Sequence, residues 1–182
     1  MRRQSRLWFG DPGKPELLPQ NDELIAEEFG TLVGDAAGGL LSSWETSPRR
    51  RLALILLLDQ FPRNIYRATE RAYAQDRTAL SLTVAGMQLG AEAALDPVER
   101  VFFYLPLEHS ESSEVQEESV AAYLRLWVEA PEELKPFFAD TCRHAREHRD
   151  LIQRFGRFPQ RNEFLGRQST REETAWLAGL SD

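Results

Sequence analysis

Ser47-Pro48-Arg49-Arg50-Arg51-Leu52-Ala53-Leu54-Ile55-Leu56-Leu57-Leu58-Asp59-Gln60-Phe61-Pro62-Arg63-Asn64 decides the fold class. Serine followed by proline is a helix start, because proline suits the first helical position, where no backbone N–H is needed. From Leu52 to Phe61 the segment is apolar on almost every side of a helical wheel. A helix of that kind belongs in the middle of a bundle, covered by other helices. Phe61-Pro62 is expected to stop it, since proline lacks an N–H and crowds the preceding turn. Arg63 and Asn64 then stand just past the stop.

Outward from this helix the chain continues to read as helices punctuated by proline and glycine, with no sustained alternation of apolar and polar residues. Upstream, Asn21 is placed to cap a helix from Asp22 to about Asp35, ended by Gly38-Gly39. Downstream, Asp76 reads as the cap of a helix closed by Gly90. Asp96-Pro97-Val98-Glu99 reads as a capping box, whose helix Pro106 should kink or end. Ser112 or Ser113 opens an amphipathic helix through Tyr123 and Trp127. Pro131 and Pro136 mark further starts, and a long helix runs from there to about Phe155. Ser169-Thr170-Arg171-Glu172 reads as a capping box for a short terminal helix ending near Gly179. The expectation is an all-α protein: a tetratricopeptide-like array of seven or eight antiparallel helices in a single helical domain over residues 1–182. No 34-residue repeat is visible. Phe61-Pro62 and Phe158-Pro159, each expected to close a helix, lie 97 residues apart, too far for neighbouring repeats.

The chain has 182 residues, enough to bury a core without staples. Its net charge of −7 opposes general nucleic-acid binding, which needs a basic surface. Cys142 is the one cysteine, so no internal disulfide forms, and a reducing cytoplasm is the expected setting. The longest apolar run is far short of the ~20 residues that span a bilayer.

Three polar phrases gather at the ends of apolar helices. The first is Asp59-Gln60 with Arg63-Asn64. A carboxylate at the buried end of a helix needs a partner, and arginine is the natural one. The second is Glu108-His109-Ser110-Glu111, an imidazole between carboxylates, as a general base or a metal site would need. The third is the long helix and its sequel, carrying His144, His148, Arg157, Arg161 and Asn162. His148 falls in the apolar stripe of that helix, where a buried hydrogen bond is its ordinary use. His144-x-x-x-His148 has metal-ligand spacing but lacks the glutamate that marks a zinc protease helix. Arg143 to Arg171 holds eight arginines against three acids, and Glu108 to Glu118 holds five acids and no base, so the two stretches can neutralise each other. Phosphate-cradling glycine loops, nucleophile elbows and dinucleotide fingerprints are absent from the sequence.

Leu58-Asp59-Gln60-Phe61-Pro62-Arg63-Asn64, Tyr104-Leu105-Pro106 with His109-Ser110-Glu111, and Arg154-Phe155-Gly156-Arg157-Phe158-Pro159 with Arg161-Asn162 and Leu165-Gly166-Arg167 resemble the signatures of the bacterial domain of unknown function 924 family. The resemblance runs from Trp8-Phe9 to the terminal helix. It implies an all-helical, tetratricopeptide-like fold and brings no activity, substrate or cofactor. The family often has histidine where this chain has Gln160.

The leading functional expectation is a polar pocket for a small anionic or peptide-like ligand. It would be lined by Asp59, Gln60, Arg63, Asn64, His109, His148, Arg157, Arg161 and Asn162, with no metal and no cofactor. It requires Arg63 and Arg161 to lie within about 15 Å of each other, the reach of two arginines sharing one small ligand. The alternatives are a hydrolase using His109 with Glu108 or Glu111, with or without metal; a helical-repeat scaffold presenting Trp127 or Trp176; and a buried polar network that only fixes helix register.

Overall fold

A computed structural model describes residues 22–179 of the chain. The Asn21 cap and Trp8-Phe9 lie outside the described residues. Within them the chain is all-α, without strands. Helix α1 is Asp22–Ala37, α2 Pro48–Leu58, α3 Gln60–Ile65, α4 Asp76–Gln88, α5 Pro97–Glu108, α6 Ser113–Glu129, α7 Lys135–Phe155 and α8 Arg171–Ala178, with short 3-10 turns between several of them.

Helix α2 is the hub. Pro48 opens it after Ser47, and Leu54, Ile55, Leu57 and Leu58 are buried along it. Each such side chain contributes about 1.5–3 kcal/mol by leaving water. Helices α1, α3, α4 and α5 all pack on α2, while α5, α6 and α7 pack on one another in chain order. The α6–α7 pair is joined through the 3-10 turn Glu132–Leu134, a short link that makes neighbouring helices antiparallel. One apolar cluster runs from Ile25 in α1 to Ala145 in α7.

The chain departs from the expected helix ends in three places that matter for the site. Helix α2 does not run to Phe61. It stops at Asp59, whose φ of −108° and ψ of −63° break the turn. Pro62 then sits in the first turn of α3, where its missing N–H costs nothing. Phe158-Pro159 behaves the same way: α7 has already ended at Gly156 (φ 70°), and Pro159 opens the 3-10 turn Pro159–Arg161. Both Phe-Pro phrases therefore open short turns instead of closing long helices.

The third departure is at Pro106, which α5 passes without stopping. Proline crowds the carbonyl four residues back, that of Phe102. Donors from neighbouring helices bond the carbonyls on either side of it: Tyr123 Oη to Val101 O at 3.0 Å and Thr83 Oγ1 to Phe103 O at 3.0 Å. External hydroxyls of this kind let a helix absorb a proline. Two caps also differ in detail. The terminal box uses Thr170 with Glu173, one residue later than expected. Asp76 is the first helical residue of α4, not its cap, and makes no capping bond.

Candidate functional site

The break between α2 and α3 turns the Asp59 carboxylate inward, where it is fully buried. Continuation of α5 through Pro106 carries His109 to the end of that helix, opposite Asp59. His109 Nδ1 lies 2.8 Å and 3.0 Å from the two Asp59 carboxylate oxygens. Gln60 Nε2 donates to Asp59 Oδ2 at 2.6 Å. One turn along α3, Arg63 Nη1 donates to the Asp59 carbonyl at 2.7 Å and lies 3.3 Å from Asp59 Oδ1.

Asp76 joins the two halves of the chain. It accepts Arg63 Nη2 at 2.9 Å and Arg161 Nη1 at 3.2 Å on the same oxygen. Arg161 Nη2 donates to the His109 carbonyl at 3.0 Å, closing the end of α5 with a guanidinium. That guanidinium lies 4.9 Å from the Tyr73 ring centre and 4.5 Å from that of Phe158. Arg63 and Arg161 thus meet on one aspartate, well inside the separation a shared ligand demands.

A second acid–imidazole pair lies alongside. His148 Nδ1 is 2.9 Å from the His144 carbonyl and 3.1 Å from Glu108 Oε1. The His109 and His148 ring centres are 6.4 Å apart, and His148 packs edge-on against Phe158 at 5.4 Å.

These surroundings set the protonation states. Burial would raise the Asp59 carboxyl, but His109 and Arg63 overcome it and hold Asp59 ionised, below the usual carboxylate range. Burial, aided by Arg63, lowers His109 despite Asp59, so the imidazole is neutral at pH 7 with its proton on the nitrogen facing the carboxylate. Burial also lowers His148. Glu108 goes the other way: burial, with Asp59 and Glu147 adding repulsion, pushes it up to about 7.

The structure therefore brings together six of the nine residues singled out in the sequence: Asp59, Gln60, Arg63, His109, His148 and Arg161. The other three face different partners. Asn64 Nδ2 donates to Asp22 of α1 at 2.8 Å. Arg157 grips Glu173 of α8 through two bonds of 2.6 Å and 2.8 Å, and Asn162 donates to Ser169 and to the same glutamate. Arg157 and the Thr170 backbone N–H hold Glu173 down to about 2.

The carboxylate on His109 is Asp59, neither Glu108 nor Glu111. Glu111 is held by Arg167 at 2.7 Å and 3.0 Å and accepts the Phe158 N–H at 2.9 Å. Two members of the cluster were not read from the sequence. Asp76 has no cap to make, and an aspartate at the start of a helix that caps nothing is free to pair elsewhere. Tyr73, three residues before it, left no signal. Among the described residues no group of three or more His, Cys, Asp or Glu is arranged to hold a metal.

Comparison with curated proteins gives no match. Among solved structures, a protein of unknown function from Agrobacterium tumefaciens is similar over 97% of this chain and 95% of its own, with 33% identity and a TM-score of 0.80. Residues 1–180 match the family model described as "Bacterial protein of unknown function (DUF924)". With nearly its whole length matched, the chain belongs to that bacterial family.

Proposed function

We propose that the protein binds a small anionic or peptide-like ligand at the cluster of Asp59, Gln60, Arg63, His109, His148 and Arg161. One observation carries this reading. Asp59 fixes His109 through Nδ1, which leaves Nε2 without a hydrogen-bond partner among the described residues, beside two guanidiniums that share a single, partly exposed aspartate. Such a nitrogen is an acceptor held in one orientation. Thermal-shift screening with small carboxylates, phosphates and dipeptides tests the reading. A ligand at 100 times its dissociation constant stabilises the fold by about 2.7 kcal/mol. The shift should shrink in His109→Gln and in Arg161→Gln. Shifts of full size in both folded variants would contradict the reading.

An enzymatic reading has its own support. Asp59 and Glu108 sit on adjacent imidazoles and are driven in opposite directions. Separated carboxyls of this kind are how one site holds an acid and a base at the same pH. In that reading His109 is the general base of a hydrolase and Asp59 is the residue that orients it. The helical-repeat scaffold draws support from Leu124, Trp127 and Val128, which stand exposed on one side of α6. A tetratricopeptide-like arrangement of the helices and a cytoplasmic location belong to the proposal as well. So does the lack of a nucleic-acid or membrane partner, in keeping with the charge of −7 and with the lack, among the described residues, of any helix long and apolar enough to cross a bilayer.

A further inference from the structure

The charges around Asp59 already cancel. Arg63 and Arg161 carry two positive charges, and Asp59 and Asp76 carry two negative ones. Both guanidiniums are also committed to carbonyls, those of Asp59 and His109. A bound anion adds a charge that this closed set cannot balance, in surroundings where an unbalanced charge is costly.

Uptake of a proton is the remedy, and the neighbouring groups narrow where it goes. From α5, Glu111 is held by Arg167, and Glu108 sits against His148. From α6, the Tyr123 hydroxyl donates to the Val101 carbonyl. From α7, Glu147 is paired with Arg143, and His148 Nδ1 faces His144 O and Glu108. Tyr73 and Phe158 offer ring faces to Arg161. His109 is the ring whose Nδ1 faces the Asp59 carboxylate and whose carbonyl accepts Arg161, so a proton added at its Nε2 is stabilised by Asp59.

We infer that the site takes up one proton for each small oxyanion it binds, and that the proton goes to His109 Nε2. The protonated ring would donate from Nε2 to the oxyanion while Nδ1–H still bonds Asp59, giving a line of alternating charge: ligand, imidazolium, Asp59, Arg63. The neutral state of free His109 agrees with this, since an imidazolium already present would have no proton to gain. The inference rests on the ligand-site reading above, and its test separates the two.

Acetate and sulfate serve as probes, because neither titrates near neutral pH. Isothermal titration calorimetry on the whole protein in two buffers of different ionisation heat measures protons bound per anion, without any substitution. The expected result is uptake of about one proton, with affinity falling about tenfold per pH unit between about pH 6.5 and 7.5. His109→Gln should bind either probe more weakly and with no uptake, whereas Glu108→Gln should retain it. Binding with no proton uptake overturns this inference and leaves the ligand site standing. Uptake that persists in His109→Gln also overturns it. If neither acetate nor sulfate binds, both readings fall.

Discussion

Glu108 and Asp59 lie on neighbouring imidazoles, yet burial leaves the first protonated near neutrality while partners keep the second charged. The difference lies in what each carboxylate touches. Asp59 has Gln60, His109 and Arg63 around it; Glu108 has the Tyr123 hydroxyl, which does not offset burial, together with His148 and the repulsion of Asp59 and Glu147. A carboxyl raised from 4.5 to about 7 on folding binds more protons folded than unfolded between those values. Its contribution is therefore complete below about pH 4.5 and is lost as pH rises through about 7. His109 and His148, both lowered, act in the opposite sense below 6.5, so the parent profile mixes the terms. The difference between Glu108→Gln and parent isolates one of them. Relative to parent, the variant should gain about 3 kcal/mol at most between pH 4.5 and 7, measured by denaturant titration across that range. At this scale Asp59, His109, Arg63 and Arg161 were legible, because an ionisable group at the end of an apolar helix needs a partner. Asp76 was not. Its two arginines lie 13 and 85 residues away, on either side of it in the chain, and nothing local announces such a pairing.

Helix starts were legible because caps and prolines act over three or four residues, as Asp96 with Glu99 does. Helix ends were harder. Pro106 leaves α5 intact because Thr83 and Tyr123, from two other helices, bond the carbonyls beside the crowded turn. That compensation is tertiary and cannot be seen along one strand of sequence. It also has a functional consequence, since a helix that ended at Pro106 would not carry His109 to Asp59. Tyr123→Phe should cost about 1 kcal/mol of stability by removing one of those bonds. The packing of α4 against α2 and α5 has an equally specific requirement. A Cβ at Gly86 would meet Phe103 Cζ at 2.6 Å and Arg51 Cδ at 2.8 Å. Arg51 cannot readily yield, since it is buried and spans from the Leu82 carbonyl to the Glu45 carbonyl. Gly86→Ala should therefore destabilise by about 1–2 kcal/mol, even after the helix-propensity gain of alanine over glycine. A rise in the denaturation midpoint instead would show that Phe103 and Arg51 give way freely.

Across the whole molecule, the C-terminal segment after α7 is fastened to the middle of the chain by two clasps. Glu111 takes Arg167 and the Phe158 N–H, and Arg161 takes Asp76 and the His109 carbonyl. The acidic and basic stretches meet at Glu111–Arg167 and Glu117–Arg149, while most of the other arginines pair with acids elsewhere, a division that spacing could not assign. Arg157 and Asn162 went to Glu173 for the same reason. Glu111→Gln should loosen the segment from Phe158 to Arg167, raising amide exchange there about tenfold while α2 keeps its protection.

Whether the Asp59–His109–Arg161 cluster receives a small ligand decides the proposed function. The most direct measurement is an NMR titration of the whole protein with acetate, following the His109 ring nitrogens and the Arg161 side-chain resonances. Saturable shifts are expected at His109 Nε2 and at Arg161, with Arg157 unmoved on Glu173. Saturable shifts confined to other parts of the molecule, or no shifts at the cluster, would contradict the proposed function.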